Sequence, residues 1–141
     1  MHAPILIVED SRHDILLAER AFARANVKAP LQIVTDGEAA IQYLSGEAPF
    51  ADRERFPLPS LVLLDLKLPR RNGHEVLSWI HDEPERAHAG YPVVILTTSD
   101  EARDRELAAR SGAVAYLIKP LFQDTVLELL HSVGLDELLT V

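Results

Sequence analysis

Five short runs of large apolar residues recur along the chain, and amphipathic segments separate them. Each run is bounded by polar or turn-forming residues, a pattern that predicts strands buried on both faces of a sheet. In the intervening segments, apolar residues recur at helical spacing. Strands that alternate with helices in this way predict a single parallel sheet with helices on both faces. The predicted strands are Ile5–Val8, Leu31–Val34, Leu61–Leu64, Val93–Leu96 and Val114–Ile118.

Two of the connecting segments allow more specific predictions. Thr35 is followed three residues later by Glu38, which matches the capping box and predicts the start of the second helix. The stretch 47–59 contains three prolines and predicts an irregular surface loop. This loop is either a tolerated insertion or a contact for a partner.

Length and composition limit the class of protein. A chain of 141 residues predicts one domain over 1–141, and the absence of cysteine excludes disulfide and thiolate chemistry. No apolar run approaches the roughly 20 residues of a membrane span, and no signal peptide precedes the first strand. We therefore expect a cytoplasmic protein with no membrane partner. The net charge of −8 also argues against a DNA partner, because nucleic-acid surfaces are basic.

Polar and charged residues follow four of the five predicted strands. Glu9 and Asp10 follow the first strand, Asp65 the third, Thr97 the fourth and Lys119 the fifth. Because parallel strands end at the same edge of a sheet, we expect these side chains to meet where open α/β sheets bind their ligands. An acid that merely ends a strand or caps a turn is the alternative for Asp65 alone, but it does not account for four such strand ends.

Together these residue types suit phosphoryl transfer to a carboxylate. Three carboxylates form an all-oxygen set that suits Mg²⁺, and a bound cation would relieve the repulsion within the adjacent pair. A hydroxyl and an ammonium group recognise anions such as phosphate. The sequence contains no G-x-G spacing, no G-x-S-x-G elbow and no H-x-x-x-H pair, which argues against dinucleotide binding, serine hydrolysis and zinc hydrolysis.

The motif set resembles that of the response-regulator receiver domains of two-component signalling, over essentially the whole chain. The resemblance implies an α/β fold with a doubly wound, flavodoxin-like sheet of five parallel strands in the order 2-1-3-4-5. It also implies a phosphoacceptor signalling protein that catalyses only its own phosphorylation and dephosphorylation, not an enzyme with a separate substrate. The matching stretches are Val8-Glu9-Asp10, Leu63 to Pro69 with Gly73, Leu96-Thr97-Thr98, and Tyr116 to Pro120.

The resemblance assigns the carboxylates to phosphate and metal. Asp65 would accept a phosphoryl group from a sensor histidine kinase. Glu9 and Asp10 would bind Mg²⁺ (or Mn²⁺) together with Asp65 and the backbone carbonyl of Lys67.

The resemblance also assigns the residues that would respond to phosphorylation. Thr97 and Lys119 would bind the phosphoryl group, and the peptide bond between Lys119 and Pro120 would be cis. Tyr116 would be the switch aromatic that swings inward as Thr97 moves, although an aromatic in an edge strand is more often a packing residue. The residues implied to tune the lifetime of the phosphate are Lys67 and Ser99.

A narrower resemblance is to the stand-alone regulators associated with bacterial phytochromes. It rests on the long loop before the third strand, on the turn Leu-Pro-Arg-Arg-Asn-Gly and on Leu-Thr-Thr-Ser. The chain departs from that subgroup near its end, because the Phe-Trp pair expected in the last helix is replaced by the stretch 131–135. The implied partners are a sensor histidine kinase such as a bacterial phytochrome, and a phosphotransfer protein or downstream effector.

The end of the chain predicts self-association. The last helix and a tail at about 134–141 contain more apolar residues than one buried face needs, which predicts a homodimer through the C-terminal face. The alternative is a tail that folds back on its own core.

Two other classes of protein remain as alternatives. One is a pseudo-receiver that binds partners without being phosphorylated, although the complete set of acids, Thr and Lys argues against it. The other is a small Mg²⁺-dependent phosphatase, which would favour a second acid two residues after Asp65, where Lys67 stands.

Overall fold

Five parallel strands form one sheet in the order β2-β1-β3-β4-β5, and helices cover both of its faces. The predicted fold class and strand order are confirmed. The computed structural model describes residues 2–83 and 90–139. The strands are β1 Ile5–Val8, β2 Leu31–Val34, β3 Leu61–Leu64, β4 Val93–Thr97 and β5 Ala115–Ile118; the described helices are α1 Arg12–Arg24, α2 Gly37–Ser45, α3 Gly73–Asp82, α4 Ala102–Arg110 and α5 Gln123–Ser132, followed by a 3₁₀ turn at Asp136–Leu138.

The core has two layers, one on each face of the sheet. On one face α1 and α5 pack on the strands through residues such as Phe22 and Leu130. On the other face α2, α3 and α4 do the same through residues such as Tyr43 and Leu77. Every residue of the three central strands is buried, whereas the edge strands β2 and β5 are partly exposed. The buried strands β1, β3 and β4 therefore fix the positions of the polar residues that follow them in the chain.

The prediction of a Thr35–Glu38 capping box was wrong by one residue. Asp36 is the N-cap of α2, and its carboxylate accepts a hydrogen bond of 2.7 Å from the backbone amide of Ala39. Glu38 instead pairs with the guanidinium of Arg71 at 3.2 Å. Asp and Thr are both good N-caps. The spacing of Thr35 and Glu38 matches the capping-box pattern, so the sequence favoured Thr35 over its neighbour Asp36.

The predicted irregular loop 47–59 has no helix or strand, but it packs tightly at the end of α2. The guanidinium of Arg53 donates to the carbonyls of Tyr43 at 2.8 Å, Leu44 at 2.9 Å and Phe56 at 3.1 Å. The rings of Tyr43, Phe50 and Phe56 lie 5.2 to 6.0 Å apart. A cation at the C-terminal end of a helix and an aromatic cluster both stabilise the loop.

The described part of the tail folds onto the core of the same chain. Leu138 is buried against α1 and α5, and Leu139 forms an antiparallel bridge with Val27. Residues 140 and 141 of the predicted tail lie outside the described residues. In the segment before α5, Phe122 remains 63% exposed. Among the residues described, no helix has the length and apolar character to cross a lipid bilayer.

Candidate functional site

The strand register brings the predicted polar residues to one edge of the sheet. Val8 of β1 pairs with Leu64 of β3, so Glu9 and Asp65 follow side by side on neighbouring strands. Asp65 donates its backbone amide to the Val8 carbonyl at 3.1 Å, which extends this pairing by one residue. Because the strands are parallel, every one of these side chains leaves the sheet at its carboxyl end. The sequence prediction that these side chains meet is correct for Glu9 and Asp65.

Lys119 reaches the same point from the edge strand β5. Its Nζ atom lies 2.8 Å from Asp65 Oδ2 and 2.9 Å from Asp14 Oδ2, and it also contacts Glu9 Oε1. The side chains of Lys119, Asp65 and Glu9 are each less than a tenth exposed. The peptide bond from Lys119 to Pro120 is cis. The ammonium group therefore bridges three carboxylates, of which Glu9 and Asp65 are buried and Asp14 is partly exposed.

Asp14 is the site residue that sequence reasoning missed. It lies in the first turn of α1, four residues after Asp10. The signal was available in part, because a helix that starts directly after a strand end places its first turn over the same edge of the sheet. The contact with Lys119, 105 positions away, could not be read from that local pattern.

Two pKa shifts describe the electrostatics of this cluster. Burial by itself disfavours the charged form of Lys119, but hydrogen bonds to Asp65, Glu9 and Asp14 outweigh it and raise the pKa of Lys119 far above its usual value. Burial also raises the pKa of Glu9, although the bonds from Lys119 and from the Ser11 amide oppose this. The hydrogen bonds thus favour the charged form of Lys119, whereas burial favours the neutral form of Glu9.

The oxygen atoms of Glu9, Asp10 and Asp65 suit a divalent cation. One carboxylate oxygen from each residue lies within 4.8 Å of the others. Glu9 and Asp65 are buried and Asp10 is exposed, so the cluster is open to solvent on one side. One ammonium group cannot neutralise three carboxylates, and an all-oxygen set with excess negative charge is what hard divalent cations prefer. The residues present therefore fit a metal of this class.

The start of α3 lies against the backbone of Asp65 and Leu66, where the Gly73 amide donates to the Leu66 carbonyl at 2.9 Å. A Cβ atom at Gly73 would lie 2.2 Å from the carbonyl oxygen of Asp65, so only glycine allows this approach. Asn72 and Glu75 form a complete capping box at the helix start. Lys67 lies in the intervening loop with an exposed side chain, and its backbone amide donates to Asp65 Oδ1 at 3.3 Å.

Thr97 and Tyr116 belong to a second hydrogen-bond network centred on Ser99. The Ser99 amide donates to Thr97 Oγ1 at 3.4 Å, and the Tyr116 hydroxyl donates to the Ser99 carbonyl at 2.8 Å. The Ser99 hydroxyl donates to Asp104 Oδ2 at 2.6 Å, and His74 Nε2 lies 3.0 Å from Asp104 Oδ1. The three predicted residues Thr97, Ser99 and Tyr116 are thereby connected. Asp104 and His74 had no signal in the sequence, because they lie on different helices.

Asp104 is expected to make the stability of the protein depend on pH. The hydrogen bonds from Ser99 and His74 lower its pKa from the ordinary value of 3.8. A carboxylate with a lower pKa in the folded chain stabilises the fold above its unfolded pKa and loses that contribution as the pH falls through the folded pKa. In urea unfolding, Asp104→Asn should therefore be less stable than the wild type at about pH 6, with the difference shrinking towards about pH 3.

The matched control for this prediction is Asp100→Asn. Asp100 lies in the loop just before α4, is exposed and pairs with Arg105 at 2.6 Å. An equal pH-dependent loss of stability in Asp104→Asn and Asp100→Asn would show that net charge, and not the Ser99 network, is responsible.

Comparisons with known proteins agree on one family. Residues 5–131 match the response regulator receiver domain. The chain is 43% identical over 121 residues to the probable methanogenesis regulatory protein FilR2 of Methanothrix harundinacea, a match that covers 85% of this chain and 74% of that protein. It is 39% identical over 115 residues to the response regulator Rcp1 of Synechocystis sp., covering 82% of this chain and 75% of that protein.

Solved structures show the same similarity. The Mn²⁺-bound form of Rcp1 superposes with a TM-score of 0.77 at 32% identity, covering 99% of this chain and 96% of that one. The bacteriophytochrome response regulator RtBRR gives a TM-score of 0.84 at 36% identity, covering 95% of this chain and 79% of that one. The family match over residues 5–131 includes all five strands.

Proposed function

We infer the function of this chain from the family to which it belongs, the response regulator receiver domains of two-component signalling. Proteins of this family work with histidine kinases. We propose that Asp65 accepts the phosphoryl group. The observation that supports this most strongly is the position of the Asp65 carboxylate, which is buried, lies beside Glu9 and Asp10, and contacts the ammonium of Lys119.

The proposed transfer needs a nucleophile, charge neutralisation and a leaving group. A carboxylate oxygen of Asp65 forms a bond to phosphorus as the bond from phosphorus to the kinase histidine nitrogen breaks. The electron pair returns to the imidazole, which takes up a proton from solvent. Lys119 remains protonated throughout because its pKa is raised, so it offsets charge on the phosphoryl oxygens. The chain thus supplies the groups for its own phosphorylation and acts on no separate substrate.

The proposed cofactor is Mg²⁺, with Mn²⁺ as a substitute. Glu9, Asp10 and Asp65 would bind it, together with the backbone carbonyl of Lys67, since small hard cations select oxygen ligands. When bound, the cation would neutralise negative charge on the phosphoryl group. The Mn²⁺-bound form of the similar Rcp1 supports this choice. Lys67 and Ser99, which contact Asp65 and Thr97 through their amides, are proposed to tune the lifetime of the phosphate.

Intact mass spectrometry tests this function directly. After incubation with acetyl phosphate and Mg²⁺, the protein should gain the mass of one phosphoryl group, and EDTA should prevent the gain. A folded protein that binds Mg²⁺ but gains no mass would contradict the proposal and favour the pseudo-receiver.

We propose that phosphorylation shifts the network of Thr97, Ser99 and Tyr116. Phosphate adds a charge of about −2, and an almost complete switch from 1:99 to 99:1 needs about 5.5 kcal/mol of differential stabilisation. Thr97→Ala should still accept phosphate but should shift the Tyr116 environment much less, measured by ¹⁹F NMR of fluorotyrosine. Thr98→Ala, which removes an exposed hydroxyl from the next position, is the control. A wild-type shift in Thr97→Ala would rule out this role.

The proposed partner is a sensor histidine kinase of the phytochrome class, and the proposed compartment is the cytoplasm. Support comes from the similarity to RtBRR, which is described as a bacteriophytochrome response regulator. The downstream partner would be a phosphotransfer protein, or an effector that recognises the protein when Asp65 is phosphorylated. Purified phytochrome kinase that fails to phosphorylate the chain, while acetyl phosphate succeeds, would exclude this class of partner.

We also propose a homodimer through the C-terminal face. Because the described tail is packed on its own core, the support comes from exposed apolar residues around the edge strand β5, namely Leu107, Val114, Ile118 and Phe122. Phe122→Glu should shift the protein to the monomer in sedimentation velocity, since a charge would be buried in the interface. Leu58→Glu, at a residue 41% exposed in the loop 47–59, is the control. A monomeric wild type would contradict the proposal.

A further inference from the structure

The ammonium group of Lys119 is saturated with hydrogen bonds in the unphosphorylated protein. Asp14 Oδ2 lies 2.9 Å from Lys119 Nζ, close to the 2.8 Å that separates Nζ from Asp65 Oδ2. With the contact to Glu9, each of the three protons has one carboxylate partner. An incoming phosphoryl group must therefore replace at least one of these bonds.

The three carboxylates differ in what phosphorylation requires of them. Asp65 becomes the acyl phosphate, and Glu9 belongs to the oxygen cluster that suits a divalent cation. Both groups would thus change their partners, Asp65 when it is phosphorylated and Glu9 when a cation binds. Among the described residues, Asp14 is outside that cluster. It is fixed in the first turn of α1, where its backbone amide donates to Ser11 Oγ at 3.3 Å.

We propose that Asp14 is a positioning residue that keeps the ammonium of Lys119 directed at the phosphoacceptor while Glu9 and Asp65 exchange partners. The inference rests on the proposed function of Asp65. A lysine side chain has a long flexible stem. If the ammonium were bonded only to Glu9 and Asp65, it would lose its position when these two groups change partners during phosphoryl transfer. A bond to a third carboxylate on a capped helix preserves that position.

A purely structural role for Asp14 makes different predictions. A carboxylate in the first turn of a helix stabilises the helix through its dipole. In that case, removing it would lower the stability of the protein and leave the saturating rate of phosphorylation unchanged. The positioning role instead predicts a slower reaction at saturating phosphodonor and a less protected ammonium group.

Three variants separate these roles. Asp14→Ala removes both charge and acceptor, whereas Asp14→Asn removes the charge but keeps an oxygen that can accept from Lys119. Glu19→Gln is the matched control, because Glu19 is an exposed acid on the same helix. It therefore changes the net charge without touching the site.

The first measurement requires neither metal nor phosphate. The chain has only three lysines, and Lys28 and Lys67 are exposed, so ¹⁵N-lysine NMR should show a single protected ammonium signal from Lys119. This signal should persist in Asp14→Asn and in Glu19→Gln, and in Asp14→Ala its protons should exchange with water faster because one of the three carboxylate partners is lost. A signal that persists unchanged in Asp14→Ala would overturn the proposal.

The second measurement is the initial rate of phosphorylation against the concentration of acetyl phosphate with Mg²⁺. The saturating rate should fall about tenfold in Asp14→Ala and about threefold or less in Asp14→Asn. A wild-type saturating rate in Asp14→Ala, or an equal fall in Glu19→Gln, would overturn the positioning role. If the wild-type protein takes up no phosphate, the proposed function of Asp65 fails, and the ammonium signal still decides whether Asp14 fixes Lys119.

Discussion

Asp65→Asn should abolish phosphorylation by acetyl phosphate, reducing the rate below detection in intact mass spectra. The amide oxygen of Asn is a far weaker nucleophile than a carboxylate, so the bond to phosphorus cannot form at a useful rate. The fold should be retained, because Asn is nearly isosteric with Asp and its oxygen can still accept the hydrogen bond that Lys119 now donates to Asp65 at 2.8 Å. Circular dichroism and urea unfolding would verify that the variant is folded.

The control for this prediction is Asp100→Asn, an exposed acid beyond the end of β4. It should be phosphorylated at the wild-type rate. Phosphate found on Asp65→Asn would assign the acceptor to another acid at this edge of the sheet. Peptide mapping would then distinguish Asp10 from Asp14, since both lie at the same edge of the sheet.

Lys119→Met should lower the free energy of unfolding in EDTA by about 3 kcal/mol, and Mg²⁺ should restore a large part of it. The substitution keeps the apolar stem of the side chain and removes the ammonium that contacts Glu9, Asp14 and Asp65. The carboxylates, of which Glu9 and Asp65 are buried, would then repel one another without a compensating cation. A divalent cation would replace the missing charge, so the variant should gain more stability from Mg²⁺ than the wild type does.

Urea unfolding with and without Mg²⁺ measures both parts of this prediction. Lys67→Met, at an exposed lysine two residues after Asp65, is the control and should change the stability by no more than about 0.5 kcal/mol. Equal stabilities of Lys119→Met and the wild type in EDTA would show that the ammonium does not balance the cluster. We expect the variants Lys119→Ala and Lys119→Met still to accept phosphate on Asp65, but their conformational response to phosphorylation should be weak.

The main features of the fold and the identity of most site residues could be predicted from the sequence. Buried strands appear as short continuous apolar runs, and a polar residue directly after such a run must lie at the end of the strand. Because parallel strands share one carboxyl edge, Glu9 and Asp65 could be placed together without a structure, and the register of β1 with β3 confirms it. The strand order followed from the family resemblance.

Several contacts were decided only by the tertiary structure. The bond between Asp14 and Lys119 joins residues 105 positions apart, and the pair of His74 and Asp104 joins two helices. The packing of Arg53 against the carbonyls at the end of α2 is of the same kind. None of these contacts has a periodic or motif signal, because each depends on the distance between elements packed against the sheet.

By itself, the sequence determined the five strands to within one residue at their ends, and therefore that Glu9, Asp10, Asp65 and Lys119 reach the edge of the sheet. Only the tertiary structure decided how these charges pair and that the tail covers its own core through Leu138. The physical reason is that burial and periodicity are local properties of the chain, which the sequence records directly. The pairing of side chains is set by the packing of helices on the sheet, where a shift of an ångström changes which groups can form hydrogen bonds.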